Sequence, residues 1–164
     1  MKQVGFVGAF DKTDLIIYIA KILTVLGKRV LIADTTITQK AKYVVPALNP
    51  TLSYITEFEE IDIAVGFKNV EAIANYTNRS IETLEYDYLL LDIDSAESAM
   101  NFRIDRSVQN FFVTSFDTYD IRRGIEILNQ FQNPIKMTKV LFSKEVTKED
   151  DEYLNYLSLE YISL

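Results

Sequence analysis

Four places in the chain put polar side chains at a strand end or a tight corner: Gly8 to Asp14, with Lys12 and Thr13 side by side, then Asp34, Asp92 and Asp94. The chemistry open to them is narrow. The 164 residues contain no histidine and no cysteine, which removes disulfides, thiolate nucleophiles, Cys/His zinc sites, Ser-His-Asp triads and histidine general bases. What remains must use carboxylates, lysine, hydroxyls, tyrosine or a bound cofactor. Lys plus Arg number 17 against 24 Asp plus Glu, a formal charge of −7. With no Lys/Arg cluster, no nucleic-acid partner is expected.

The elements that must position these residues alternate in type. Gln3 to Val7 is β-like and is followed by Gly8 and the polar corner Asp11-Lys12-Thr13-Asp14. Leu15 to Leu26 is apolar nearly all round, as a helix buried against a sheet would be, and Gly27 stops it. Arg29 to Ala33 is a second strand ending at Asp34, which completes a βαβ unit. Leu52 to Phe58 is read as a short helix, Ile61 to Val65 as a strand, and Val70 to Leu84 as a helix capped by Asn69, with Ile73, Tyr76 or Thr77, and Leu84 near one face. Tyr88 to Leu91 is the strongest buried strand and runs into Asp92-Ile93-Asp94.

Ser95 to Arg103 is predicted helical and Asn110 to Thr114 a strand. Asp117 or Thr118 caps a helix through Phe131 with Ile121, Ile125 and Leu128 inward. Lys139 to Phe142 is a strand, and Lys148 to Leu157 a last polar helix before Tyr161-Ile162-Ser163. Strands that are apolar throughout and separated by helices imply a three-layer α/β fold, a mainly parallel sheet with helices on both faces. Its ligands gather at the carboxyl ends of the strands, where the four candidate places lie. The length suits one domain over 1–164. The most apolar run, Leu15 to Ala20, is too short to span a bilayer. The Met1-Lys2-Gln3 start leaves no signal peptide, so a cytoplasmic location is expected.

Three segments together resemble the deviant-Walker ParA/MinD family of P-loop ATPases. They are Gly5-Phe6-Val7-Gly8-Ala9-Phe10-Asp11-Lys12-Thr13-Asp14, Lys28-Arg29-Val30-Leu31-Ile32-Ala33-Asp34, and Tyr86-Asp87-Tyr88-Leu89-Leu90-Leu91-Asp92. Val113-Thr114-Ser115 before a capped helix is similar to the family's next βα unit. In such loops glycines let backbone N–H groups wrap phosphate, Lys neutralises charge, and the following hydroxyl holds magnesium. The resemblance thus implies a nucleotide loop at Gly8, Lys12 and Thr13 and a magnesium site at Asp34 and Asp92, both vestigial.

The departures carry that last word. Aligned on Lys12-Thr13, only Gly8 remains of the loop glycines; Phe6, Ala9 and Asp11 replace the others, and Val7 stands where the signature lysine would reach across a dimer. Asp11 would repel each unit of phosphate charge by roughly 3 kcal/mol at about 5 Å and an effective dielectric of about 20. The expectation is a pseudo-ATPase with no cofactor, ATP and magnesium entering only if the loop still works. Its implied role is as a protein-binding or positioning module of a bacterial partitioning, division, pilus, secretion or conjugation system, with protein partners and a homodimer paired across the nucleotide face. Family members are usually longer, so the C-terminal elements of the family are expected to be missing, and Ser143-Lys144 stands where relatives often offer an Asn to the base.

Plainer readings compete at each position. Asp11, Thr13 or Asp14 serves as a cap for the first helix, Lys12 as a solvated loop lysine, and Asp34, Asp92 and Asp94 as strand-end acceptors of backbone N–H groups. Glu57-Glu59-Glu60 and Lys148 to Glu152 read as solvated faces. The 20 Phe and Tyr residues are expected mainly in the core, with Tyr43, Phe58 or Tyr153 as candidates for a partner surface. Two other functions compete: an atypical but working ATPase using Lys12, Thr13, Asp34 and Asp92, and a receiver-like phosphoacceptor domain using Asp34, Asp92, Thr114 and Lys144.

Overall fold

A computed structural model describes residues 1–44, 53–142 and 162–163. Strands β1 (Lys2–Val7), β2 (Val30–Asp34), β3 (Tyr54–Phe58), β4 (Ile61–Val65), β5 (Tyr88–Ile93), β6 (Gln109–Ser115), β7 (Met137–Phe142) and β8 (Ile162–Ser163) form one sheet in the order β3-β4-β2-β5-β1-β6-β7-β8. All neighbours are parallel except the antiparallel pair β3–β4. Helices α1 (Thr13–Val25), α2 (Val70–Tyr76), α3 (Ala96–Asn101) and α4 (Thr118–Asn129) complete the three layers.

The crossovers decide which face each helix covers. From β1 to β2 the chain moves one way along the sheet, whereas β4 to β5, β5 to β6 and β6 to β7 move the other way. Right-handed crossovers then put α1 on one face and α2, α3 and α4 on the opposite one. The buried clusters agree. Ile16 and Ala20 of α1 pack with Phe6, Ile32, Ile63, Leu90 and Val113, while Ile73, Ala99, Ile127 and Leu128 pack with Leu31, Leu89, Leu91 and Phe112.

Several local expectations are corrected. Leu52 to Phe58 is no helix where it is described: Tyr54–Phe58 is β3, joined to β4 by Glu59 and Glu60, whose φ values are 49° and 68°. Two left-handed residues in succession make the hairpin turn whose twist matches the strands. The helix expected to reach Leu84 stops at Tyr76, because Asn78 turns left-handed (φ 54°) and the N–H groups of Asn78 and Arg79 close back on Asn75 and Ala74. Tyr76 is exposed there.

The buried row of α4 is Ile121, Gly124, Ile127 and Leu128 in place of one containing Ile125. Phenylalanines do enter the core, but no tyrosine among the described residues is buried. Helix α1 is not buried all round, since Tyr18, Ile22, Val25 and Leu26 face solvent. The helix expected at Lys148 to Leu157, along with Lys144 and Tyr153, lies outside the described residues. Asn69 does cap α2, its side chain accepting from the Ala72 N–H at 2.8 Å.

Candidate functional site at the strand ends

The loop between β1 and α1 starts from a glycine that nothing else can replace. Gly8 has φ 147°, and a Cβ there would sit 2.1 Å from the Val113 carbonyl oxygen of β6. Its N–H is held by Ile93 O at 3.0 Å. Only a bare backbone passes between those strands. Gly8 is thus required by the sheet itself, whatever the loop binds. From Ala9 to Thr13 no residue has a positive φ. A nest of N–H groups built from alternating right- and left-handed residues is therefore not formed there.

Lys12 is not solvated. It is 2% exposed, and its ammonium donates to Gly8 O at 2.7 Å and Phe10 O at 3.2 Å and lies 3.0 Å from Asp92 Oδ1. The lysine fills the loop from inside, against the sequence expectation. Its partner comes from β5, eighty positions away, through the register that sets Phe6 of β1 beside Asp92. Burial pushes the Asp92 carboxyl up to about 6; Lys12 pulls it down, while Asp34 beside it on β2 pushes the same way as burial.

Asp11, by contrast, points outward. Its Oδ1 accepts the Thr13 N–H at 3.2 Å and its Oδ2 takes Lys40 Nζ at 2.6 Å, while the expected side-chain cap of α1 is absent because Lys12 is the N-cap residue. Partial burial raises its pKa, but Lys40 and the Thr13 N–H outweigh that and hold the carboxyl below its ordinary value. The repulsion expected from Asp11 is consequently offset in part by a neighbouring cation. The Phe10 ring stacks on Phe142 at the end of β7, 5.1 Å between centroids.

The other strand-end carboxylates organise backbone. Asp34 Oδ1 accepts from Thr36 N–H at 3.0 Å and Thr36 Oγ1 at 2.6 Å, and Oδ2 accepts from Ala41 N–H at 2.9 Å. Asp94 Oδ2 accepts from Ile37 N–H at 3.0 Å. Among the described residues no three acidic side chains converge as a metal-binding group. Thr114 is buried and donates to Ser115 O at 3.2 Å.

These pieces surround a cavity of about 340 Å³ lined by the loop from Ala9 to Thr13, by Thr36 to Thr38 and Lys40, by Asp92 and Asp94, and by Tyr119 and Arg123 of α4. Sequence reading missed Thr36, Ile37, Lys40, Tyr119 and Arg123. Asp34-Thr35-Thr36 carried a usable signal, an acidic residue placed to accept the N–H two positions on. Tyr119 and Arg123 carried none, since only the β5-β1-β6 order brings the start of α4 beside the loop.

That strand order is also what separates related folds. A receiver domain built on β2 as its first strand needs the Asp92 and Thr114 strands side by side, but β1 lies between β5 and β6. Known structures of the same architecture bear out the resemblance. The chain superposes on a plasmid partition protein from Borrelia burgdorferi with a TM-score of 0.61 at 13% identity, over 98% of this chain and 87% of that one. The chain has the ParA/MinD fold. It also matches the MinC:MinD cell division protein complex of Aquifex aeolicus (TM-score 0.56, 15% identity, 85% of this chain and 69% of that one). A ParA family ATPase from Chlorobium tepidum matches with a TM-score of 0.54 at 16% identity, over 93% of this chain and 79% of that one. No protein-family model and no curated protein sequence matches. No helix among the described residues is long and apolar enough to cross a membrane.

Proposed function

We propose that this is a catalytically degenerate ParA/MinD-like domain, a pseudo-ATPase kept as a protein-binding or positioning module. The observation that carries it is Lys12. The loop's own cation is spent on two loop carbonyls and Asp92, so phosphate would have to extract a buried charge before meeting it. The residues present do not fit a magnesium nucleotide. The N–H nest is missing, both Asp34 oxygens are taken by Thr36 and Ala41, and the cavity's cations Lys12, Lys40 and Arg123 are paired with Asp92, Asp11 and Glu126. Gly8, Lys12, Thr13, Asp34 and Asp92 are thus remnants whose present work is to hold the strand ends together. Another plasmid partition protein of Borrelia burgdorferi with the same fold binds AMPPNP (TM-score 0.57, 12% identity, 98% of this chain and 84% of that one).

The partner side of the reading rests on the same fold. One structural neighbour is a MinC:MinD complex, and we place this chain in a bacterial partitioning, division or related positioning system, working inside the cell through protein contacts. A phosphate-release assay with magnesium–ATP should read at the buffer background for the native chain and for Asp92→Asn alike. Turnover that Asp92→Asn abolishes would defeat the proposal.

A working ATPase with an unusual loop is the second reading. It is favoured by one fact: Lys12, Thr13 and Asp92 still line a single cavity. Asp11→Gly separates the two, because it strengthens ATP binding only if the pocket is otherwise intact.

A further inference from the structure

Helix α1 carries a feature that the nucleotide site does not use. Asp14, Tyr18, Ile22 and Val25 recur at helical spacing on its outer face, and the capping residue Leu26 continues the row. The apolar members are widely open: Tyr18 73%, Ile22 61%, Val25 78% and Leu26 66% exposed. Among the described residues no other α-helix shares this face of the sheet; the connection from β2 toward β4 also crosses it and packs there through Ala41. A solvent-facing row would ordinarily be polar.

We propose that this row is a self-association surface on which a second copy of the chain packs with its α1 antiparallel, about a two-fold axis near Ile22. Three observations make the surface complementary to itself and not merely apolar. First, the charges are arranged head to tail: Asp14 stands at the N-terminal end of the row and Lys28 just beyond Gly27 at the other end, both exposed. Antiparallel pairing brings each Asp14 toward the other copy's Lys28 and also opposes the two helix dipoles.

Second, the row has a projecting half and a hollow half. Val25 and Leu26 project near the C-terminal end. Beside the N-terminal half lies a groove of about 390 Å³ lined by Ile17, Tyr18, Val44 and Phe58, among others. The Lys21–Glu59 ion pair of 2.7 Å stands at that groove. Rotation about the axis seats the projecting half of each copy at the groove of the other, as an isologous contact requires. Third, Ile22 falls between the two halves and meets its own counterpart, so one side chain lies on the axis. A membrane surface is the poorer occupant, since a chain of net charge −7 is repelled by anionic lipid. The proposal stands apart from the state of the loop, because α1 packs its outer row away from the strand-end cavity.

The absence of cysteine makes the test direct. Sedimentation velocity from micromolar to sub-millimolar protein should show a concentration-dependent dimer, with or without ATP. Ile22→Asp should make it monomeric with an unchanged circular dichroism spectrum, whereas Val108→Asp, at an apolar residue 62% exposed elsewhere on the molecule, should leave it dimeric. Asp14→Lys should weaken the dimer roughly tenfold and Asp14→Lys with Lys28→Asp should restore it. Mild oxidation should link Ile22→Cys chains into disulfide dimers far faster than Val108→Cys chains. A chain monomeric at every concentration overturns the proposal. So does a dimer that survives Ile22→Asp, or one that forms only with ATP. Vesicle binding by a monomer, lost in Ile22→Asp, would assign the row to a membrane and overturn it as well.

Discussion

Two lysine–aspartate pairs stand within one loop of each other and behave as opposites. At its root, Lys12 and Asp92 meet at 3.0 Å with side chains 1% and 4% exposed. At its rim, Lys40 and Asp11 meet at 2.6 Å with side chains 49% and 48% exposed. The shorter contact is the weaker one. Water screens the rim pair and competes for both partners, so its net worth is small. The root pair is shielded from water, and removing one partner strands a charge in the interior. The difference teaches which pair determines the state of the loop. The rim pair can exchange partners at little cost, while the root pair ties the loop to β5.

The largest effect should come from splitting the root pair. Lys12→Met is expected to lower stability by about 3–5 kcal/mol at pH 7, read from urea midpoints, because Asp92 is left buried without its cation. A loss below about 1 kcal/mol would mean that the root resembles the rim. Gly8→Ala should follow at roughly 2–3 kcal/mol, since the added methyl meets the Val113 carbonyl at a backbone φ that L-residues avoid. An unaffected midpoint would show that the two strands can part there.

The two aspartates also titrate with opposite signs. The Asp92 carboxyl sits at about 6 in the fold against 3.8 when unperturbed, so the folded state binds its proton more tightly than the unfolded chain does. Stability from this group is therefore fully present below about pH 4 and is lost as pH rises through about 6. Lowering pH from 7 to 5 should add on the order of 1 kcal/mol through Asp92, a gain that Asp92→Asn removes. Asp11 has the opposite sign, its carboxyl being held below the ordinary value, so its contribution fades only in stronger acid. The smallest effect belongs to the rim. Lys40→Ala should cost under about 1 kcal/mol, and added salt should erase most of the difference.

Much of the fold could be read along the chain because its signals are local. Tyr88 to Leu91 needed only continuous apolar character to be placed as a strand, and Asn69 and Asp117 only their position before a helix to be placed as caps. The hairpin of β3 and β4 escaped because its turn is Glu59-Glu60, two residues that seldom take left-handed φ, in place of the glycine or asparagine that announces such turns. Lys12 escaped for a different reason. A lysine in a polar corner looks solvated until the sheet order brings Asp92 beneath it. The outer row of α1 was legible as apolar, yet periodicity alone could not tell an all-round buried helix from one with an open side. The candidate positions in the loop and at the strand ends converge as the motif order suggested, but the cavity wall that α4 supplies came from topology alone.

The root of the loop is closed around Lys12, and we expect it not to open for nucleotide. Isothermal titration calorimetry of the native chain with magnesium–ATP tests it most directly. No saturable heat is expected up to millimolar nucleotide, whereas saturable binding in the micromolar range would contradict a closed loop.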